Sequence, residues 1–123
     1  MLSSCQPGIG WYQYSVIAGS GRMSLITDRF WICSDGNRDT FNIAGWCYME
    51  EDKMPRIAAM LEEDGWTVRC TPHSIQISYD AIQATLSRYG YYTVTYASSF
   101  DEARYIIKEI YSTVYAALES PFV

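Results

Sequence analysis

Residues 80–90, DAIQATLSRYG, decide how this chain is read. Asp80 suits an N-cap, where its carboxylate would accept from the open amides of a first helical turn. Ile82, Leu86 and Tyr89 follow at spacings of four and three, which places them on one side of a helix, and Gly90 supplies a stop. The pattern predicts a helix over residues 81–89. Before it, Ile75, Ile77 and Tyr79 alternate as in a strand, with the first turn of a helix as the other reading; after it, residues 91–97 are β-branched and aromatic, which favours another strand.

Working back along the chain, Trp66, Val68 and Cys70 alternate with Thr67, Arg69 and Thr71, and Pro72-His73-Ser74 turns the chain. Ahead of that strand, Asp52 can cap a helix that tolerates Pro55 in its first turn. Its apolar face is Met54, Ile57, Ala58 and Leu61, and Gly65 ends it. Residues 41–49 read as a strand with Phe41, Ile43 and Cys47 on one face and Trp46 and Tyr48 on the other, so it should be central in a sheet. From 41 to 97 the predicted order is β, α, β, β, α, β, the ferredoxin-like split β-α-β arrangement.

Residues 11–18 and 23–34, joined through Gly19-Ser20-Gly21, read as an N-terminal hairpin whose second strand is bulged and carries Phe30, Trp31 and Ile32. Residues 35–39 are a turn by composition. The chain ends in its clearest helix, SFDEARYIIKEIYSTVYAALE over residues 99–119, before Ser120 and Pro121. Ser99 and Glu102 have the spacing of a capping box. Ala103, Ile106, Ile107, Ile110, Val114, Ala117 and Leu118 form a core arc. Arg104, Lys108, Tyr111 and Tyr115, separated by four, three and four, form a stripe read as nearly opposite that arc. These tyrosines either lie along the core edge with wet hydroxyls or anchor a partner. The expected architecture is one α+β domain over residues 1–123: a mainly antiparallel sheet with an N-terminal hairpin, the split core and a long C-terminal helix.

Nine basic against fourteen acidic residues give a net charge of −5, which argues against non-specific binding to nucleic acid. No stretch approaches the ~18 apolar residues of a membrane span, and the first residues lack a signal-peptide pattern. A cytoplasmic chain with four free cysteines is expected, with no membrane partner. Eleven Tyr and four Trp are more rings than one small core commonly absorbs, so some should be exposed.

Candidate chemistry is sparse. Cys70 and His73 have a zinc-like spacing but lack a second close pair, and Cys33 and Cys47 lie on strands expected to be neighbours. Asp28, Asp35 and Asp39 cluster near a turn, where Asp commonly bonds to nearby backbone amides. Gly8-Ile9-Gly10 and Gly19-Ser20-Gly21 read as turns, since no helix follows to make a phosphate loop. No catalytic residue, metal set or cofactor is assigned. Glu62, Glu63 and Asp64 stand at the negative end of a helix dipole, either as a solubilising cluster or as a contact for a basic partner. Arg38 and Arg69 occur among strands carrying Trp31, Trp46 and Trp66, together with Arg22, Arg29, Phe30 and Trp11. Arg beside an aromatic plane suits an anionic planar ligand, while the simpler reading fills a core with the tryptophans.

These features fit a non-enzymatic binding or inhibitory protein that sequesters a target, either a basic protein surface or a small anionic, nucleotide-like ligand, and forms a homo-oligomer. A short acidic chain without a catalytic signature matches the profile of a virus- or plasmid-encoded antagonist of a host system. The alternatives are a small metal- or His-dependent hydrolase using Asp28, Asp35, Asp39 or His73, and a structural subunit with Tyr111 and Tyr115 buried between copies.

Overall fold

A computed structural model describes residues 4–7, 12–18, 21–35 and 38–119. The strands are β1 (Ser4–Pro7), β2 (Tyr12–Ala18), β3 (Gly21–Asp35), β4 (Arg38–Trp46), β5 (Thr67–Cys70), β6 (Ser74–Tyr79), β7 (Ile82–Ser87) and β8 (Tyr91–Ala97). The helices are α1 (Met54–Glu63), entered through a 3-10 turn at Glu51–Lys53, and α2 (Phe100–Glu119). The strands form one sheet in the order β1-β3-β4-β8-β7-β6-β5, and β2 also pairs with β3. Every ladder is antiparallel. The chain leaves β4, runs through α1, enters the sheet at its far edge as β5, and returns strand by strand until β8 closes onto β4.

The register explains why the sheet has one dry and one open face. Val68, Ile77, Ala84, Val94, Ile43 and Phe30 are successive cross-strand partners and make one apolar row from β5 to β3. The neighbouring row, one residue along each strand, is Arg69, Gln76, Thr85, Thr93, Ala44 and Arg29, and alternation turns it to the opposite face. Helix α2 packs on β2, β4, β8 and α1, with Phe100 meeting Phe30 and Phe41 edge to face at 5.3 and 5.0 Å. The core lies between helices and sheet. Ile57, Leu61, Ile75, Leu86, Tyr92, Ile107 and Ile110 are among its fully buried side chains.

The segment expected as a helix over 81–89 is strand β7, so the ferredoxin-like split β-α-β arrangement is not found. Ile82 and Leu86, four apart, suit both periods; Ala84 decides, because it is buried while Gln83 is exposed. Tyr89, the third member of the supposed helical side, is exposed. Asp80 does not cap a helix either. With Ala81 it makes a two-residue turn between the paired Tyr79 and Ile82, at a φ of 55° that Asp tolerates better than most residues.

Other expectations need smaller changes. Met54, Ile57, Ala58 and Leu61 do line the buried side of α1, but Asp52 lies in the 3-10 turn and Lys53 holds the N-cap position without a side-chain bond. Gly65 ends α1 at a φ of 100°. At α2, Ser99 Oγ accepts from the Glu102 amide at 3.0 Å, while the Glu102 carboxylate reaches the Ser98 amide at 2.8 Å, one residue earlier than a standard capping box. The bulge expected in β3 falls between Thr27 and Arg29. Gly8-Ile9-Gly10, Trp11, Gly19-Ser20, Gly36-Asn37 and Ser120-Pro121 lie outside the described residues, as do the side chains of Arg22 and Asp35.

Candidate functional site

Among the described residues, the open face of the sheet carries a well-formed cleft. It has a volume of about 460 Å³, and its walls include Trp31, Arg38, Thr40, Asn42, Thr95 and Tyr96. Alternation puts Trp31, Thr40 and Asn42 on the side away from the helices, opposite Phe30, Phe41 and Ile43. The floor is organised by Asn42, a buried polar residue inside a strand. Its Oδ1 accepts from the Tyr96 amide at 2.9 Å, and its Nδ2 donates to the Trp31 and Thr40 carbonyls, each at 3.3 Å. That bond supports Tyr96 at a φ of 67°, beside the irregularity where β8 passes from the Val94–Ile43 pair to the Ala97–Phe41 pair. The result is an exposed Tyr96 ring near Trp31, with Arg38 donating to the Tyr96 carbonyl at 3.5 Å.

A disulfide between Cys5 and Cys33 forms part of the same wall, which corrects the expectation of four free thiols. The two residues are direct partners across the β1–β3 ladder. Only Cys47 and Cys70 are free, and Cys33 does not meet Cys47.

Of the Arg and Trp residues singled out in the sequence, Trp31 and Arg38 are the ones among the described residues that share this cleft. Trp46 lies farther along the open face, half exposed, where its Nε1 donates to Asp28 at 3.1 Å and its ring meets Tyr91 edge to face at 5.8 Å. Arg69 occupies the open face on edge strand β5. Trp66 belongs to another cavity, with Asp64 and Tyr79. Glu62, Glu63 and Asp64 are exposed at the end of α1. Asn42, Thr95 and Tyr96 were not picked out from the sequence. An Asn between Phe41 and Ile43 is a signal, since strand interiors seldom carry it; nothing local marks Tyr96.

The stripe on α2 does not form an exposed surface. Tyr111 is fully buried and Tyr115 is nearly so, while Arg104 bonds to Asp101 and Lys108 is exposed. By helical geometry the stripe lies about a quarter turn from the centre of the apolar arc, not behind it, and that flank still falls on the core. Tyr111 donates to the Cys47 sulfur, and Cys47 donates to the Gly90 carbonyl at 3.4 Å. A second buried group joins Tyr92 to Thr27 at 2.5 Å and to the Ile26 carbonyl at 3.2 Å. Burial pushes the Cys47 thiol and the Tyr92 phenol each up to about 12, and holds Tyr111 well above the ordinary phenol range, helped by the adjacent Cys47.

The candidate acids and bases are dispersed. His73 is in the turn before β6, whereas Asp28 and Asp39 lie at β3 and β4. Four strand spacings separate β6 from β3, about 19 Å at the usual interval. Among the described residues no group of three or more His, Cys, Asp or Glu side chains is placed to hold a metal ion. No described helix is long and apolar enough to cross a membrane.

No protein-family model matches this chain, and neither the curated proteins nor the solved structures contain a match.

Proposed function

We propose that this is a non-catalytic binding protein that sequesters a small planar anion of nucleotide-like chemistry in the cleft between Trp31, Arg38 and Tyr96. One observation carries the reading: two aromatic side chains and a guanidinium line a single open cleft of about 460 Å³, large enough for a small ligand. A planar ring stacks on Trp31 or Tyr96. Arg38, which spends one bond on the Tyr96 carbonyl, has further donors for a phosphate or carboxylate. Thr40 and Thr95 donate their hydroxyls to the Cys33 and Gln83 carbonyls, each at 3.4 Å, which leaves oxygen lone pairs to accept from ligand N–H groups.

Arg69 on the same face adds to the attraction for anions, while Arg29 there is offset by its pair with Asp28 at 4.0 Å. The cleft wall contributes no carboxylate and no histidine among the described residues, and this favours retention over turnover. An antagonist that works by depleting a signalling nucleotide would act in this way. The burial of Tyr111 and Tyr115 removes the argument for self-association through that stripe.

Calorimetric titration with mononucleotides and cyclic dinucleotides at low salt tests the proposal. At least one should bind saturably and be recovered chemically unchanged. Arg38→Gln should weaken binding roughly 10- to 100-fold, the loss of a charge-assisted bond. Trp31→Leu should weaken it by roughly 5-fold or more through lost stacking. Absence of binding across the panel, or wild-type affinity in Arg38→Gln, would rule the cleft out.

A further inference from the structure

A second cavity, of about 400 Å³, lies where the end of α1 meets the middle of α2, and it has the opposite chemistry. Its walls include Asp64, Trp66, Tyr79, Glu109, Ser112 and Thr113. We propose that it is a binding site for an alkylammonium group, either a free organic amine or a lysine side chain of a partner.

The local structure follows from the chain path. Gly65 turns α1 into β5, so Asp64 and Trp66 flank the turn, and the β6 strand beside β5 brings Tyr79 against Trp66. The two rings meet edge to face, with centroids 5.5 Å apart and an interplanar angle of 64°, so they form two walls of a corner. Tyr79 is largely exposed and Trp66 partly so, which leaves ring surface for a guest. Aromatic faces attract cations through their quadrupole, and a corner of two rings does so from two sides.

Charge points the same way. The Thr113 hydroxyl donates to Asp64 across from α2, fixing that carboxylate at the cavity. Glu109 enters from the exposed side of α2. None of the three ion pairs among the described residues uses Asp64 or Glu109. The negative pole of α1 is at the same place, so two carboxylates and a helix C-terminus converge without a cation in the wall. An alkylammonium satisfies both parts of the lining, its charge by the carboxylates and its methyl or methylene groups by the rings. A sodium ion would satisfy only the first. This site shares no lining residue with the cleft at Trp31, and it stands independently of that reading.

The test is calorimetric titration of the full chain with tetramethylammonium chloride and, separately, with a short lysine-containing peptide, using sodium chloride as the reference. Saturable binding of the free ammonium with no gain for the peptide assigns a small-molecule amine, and a tighter peptide assigns a protein partner; either supports the site. Glu109→Gln, on an exposed helix surface, should weaken binding at least 5-fold, and Trp66→Leu should weaken it about 2- to 10-fold. Trp66 packs against the core, so Tyr79→Leu at its exposed partner ring serves as the second aromatic variant, with a similar expected loss. No saturable response to either probe, or wild-type affinity in both Glu109→Gln and Tyr79→Leu, would overturn the proposal.

Discussion

Glycine at two positions lets polar groups sit inside this core without loose ends. A Cβ at Gly45 would lie 1.7 Å from the Ile26 carbonyl oxygen and 2.8 Å from the Tyr92 hydroxyl, so only glycine lets β3 and that phenol come together there. Gly90, at a φ of 90°, accepts from the Cys47 amide at 2.8 Å and from its thiol. The neutral forms of Cys47, Tyr92 and Tyr111 are therefore built into the fold. An unfolded chain releases the Cys47 proton near the ordinary value of 9.0, whereas the folded chain keeps it until about 12. Stability from this source is fully present below pH 9 and is lost as pH rises from about 9 to about 12, with Tyr92 adding to the fall above 10. Thermal melts across this range should show a level plateau followed by a decline. Cys47→Ser, which keeps the hydrogen bonds and cannot titrate there, should delay its onset. In the wild-type protein an aromatic disulfide reagent should find Cys70 at once and Cys47 only after unfolding, since Cys70 is exposed and Cys47 is held as a thiol. A pH profile unchanged by Cys47→Ser would mean that the thiol does not govern it.

Elements with one clean period were legible, and the one with two was not. α2 carries its apolar and aromatic residues on a broad arc, and its start at Ser99 is written in its caps. Even there, the buried arc is wider than its aliphatic residues mark, because the rings of Tyr111 and Tyr115 join it despite their polar tips. β7 has Ile82 and Leu86 at a spacing that serves helix or strand, and tertiary pairing with β6 and β8 settled it. A six-residue strand between two others gains a full set of ladder bonds, which a short isolated helix does not match. The turn at Asp80 permits this, and it yields a prediction. Asp80→Gly should be neutral or slightly stabilising, because glycine adopts a φ of 55° freely. Asp80→Val should destabilise by roughly 1–2 kcal/mol. Urea denaturation measures both; equal midpoints for the two variants would contradict the left-handed turn.

At the scale of the molecule, the fold decides which charges and rings come together, which composition cannot reveal. Glu62, Glu63, Asp64 and Glu109 are exposed at the helices alongside Lys108, while the open sheet face carries Arg38, Arg69 and Arg29, the last paired with Asp28. The surplus of rings inferred from composition is partly real: Trp46, Tyr79, Tyr91 and Tyr96 are exposed while Tyr92 and Tyr111 are not, and only the fold says which. Of the residues chosen from sequence, Trp31 with Arg38 and Asp64 with Trp66 meet in cavities because their strands and turns bring them there, not because of spacing along the chain. The disulfide belongs to this scale too. It pins edge strand β1 to β3 beside the cleft, across a sequence separation of 28, and such bonds persist where the surroundings do not reduce them. Closing a loop of that length restricts the unfolded chain by about 3–4 kcal/mol. Denaturation with and without a thiol reductant should therefore differ by about that amount, and Cys5→Ser with Cys33→Ser should match the reduced protein and no longer respond to reductant. The cleft should respond as well, because freeing β1 removes one of its walls: ligand affinity in the double serine variant should fall by less than in Arg38→Gln, which removes the charge itself. If reduction changed neither the midpoint nor the affinity, β1 would have no part in holding the cleft.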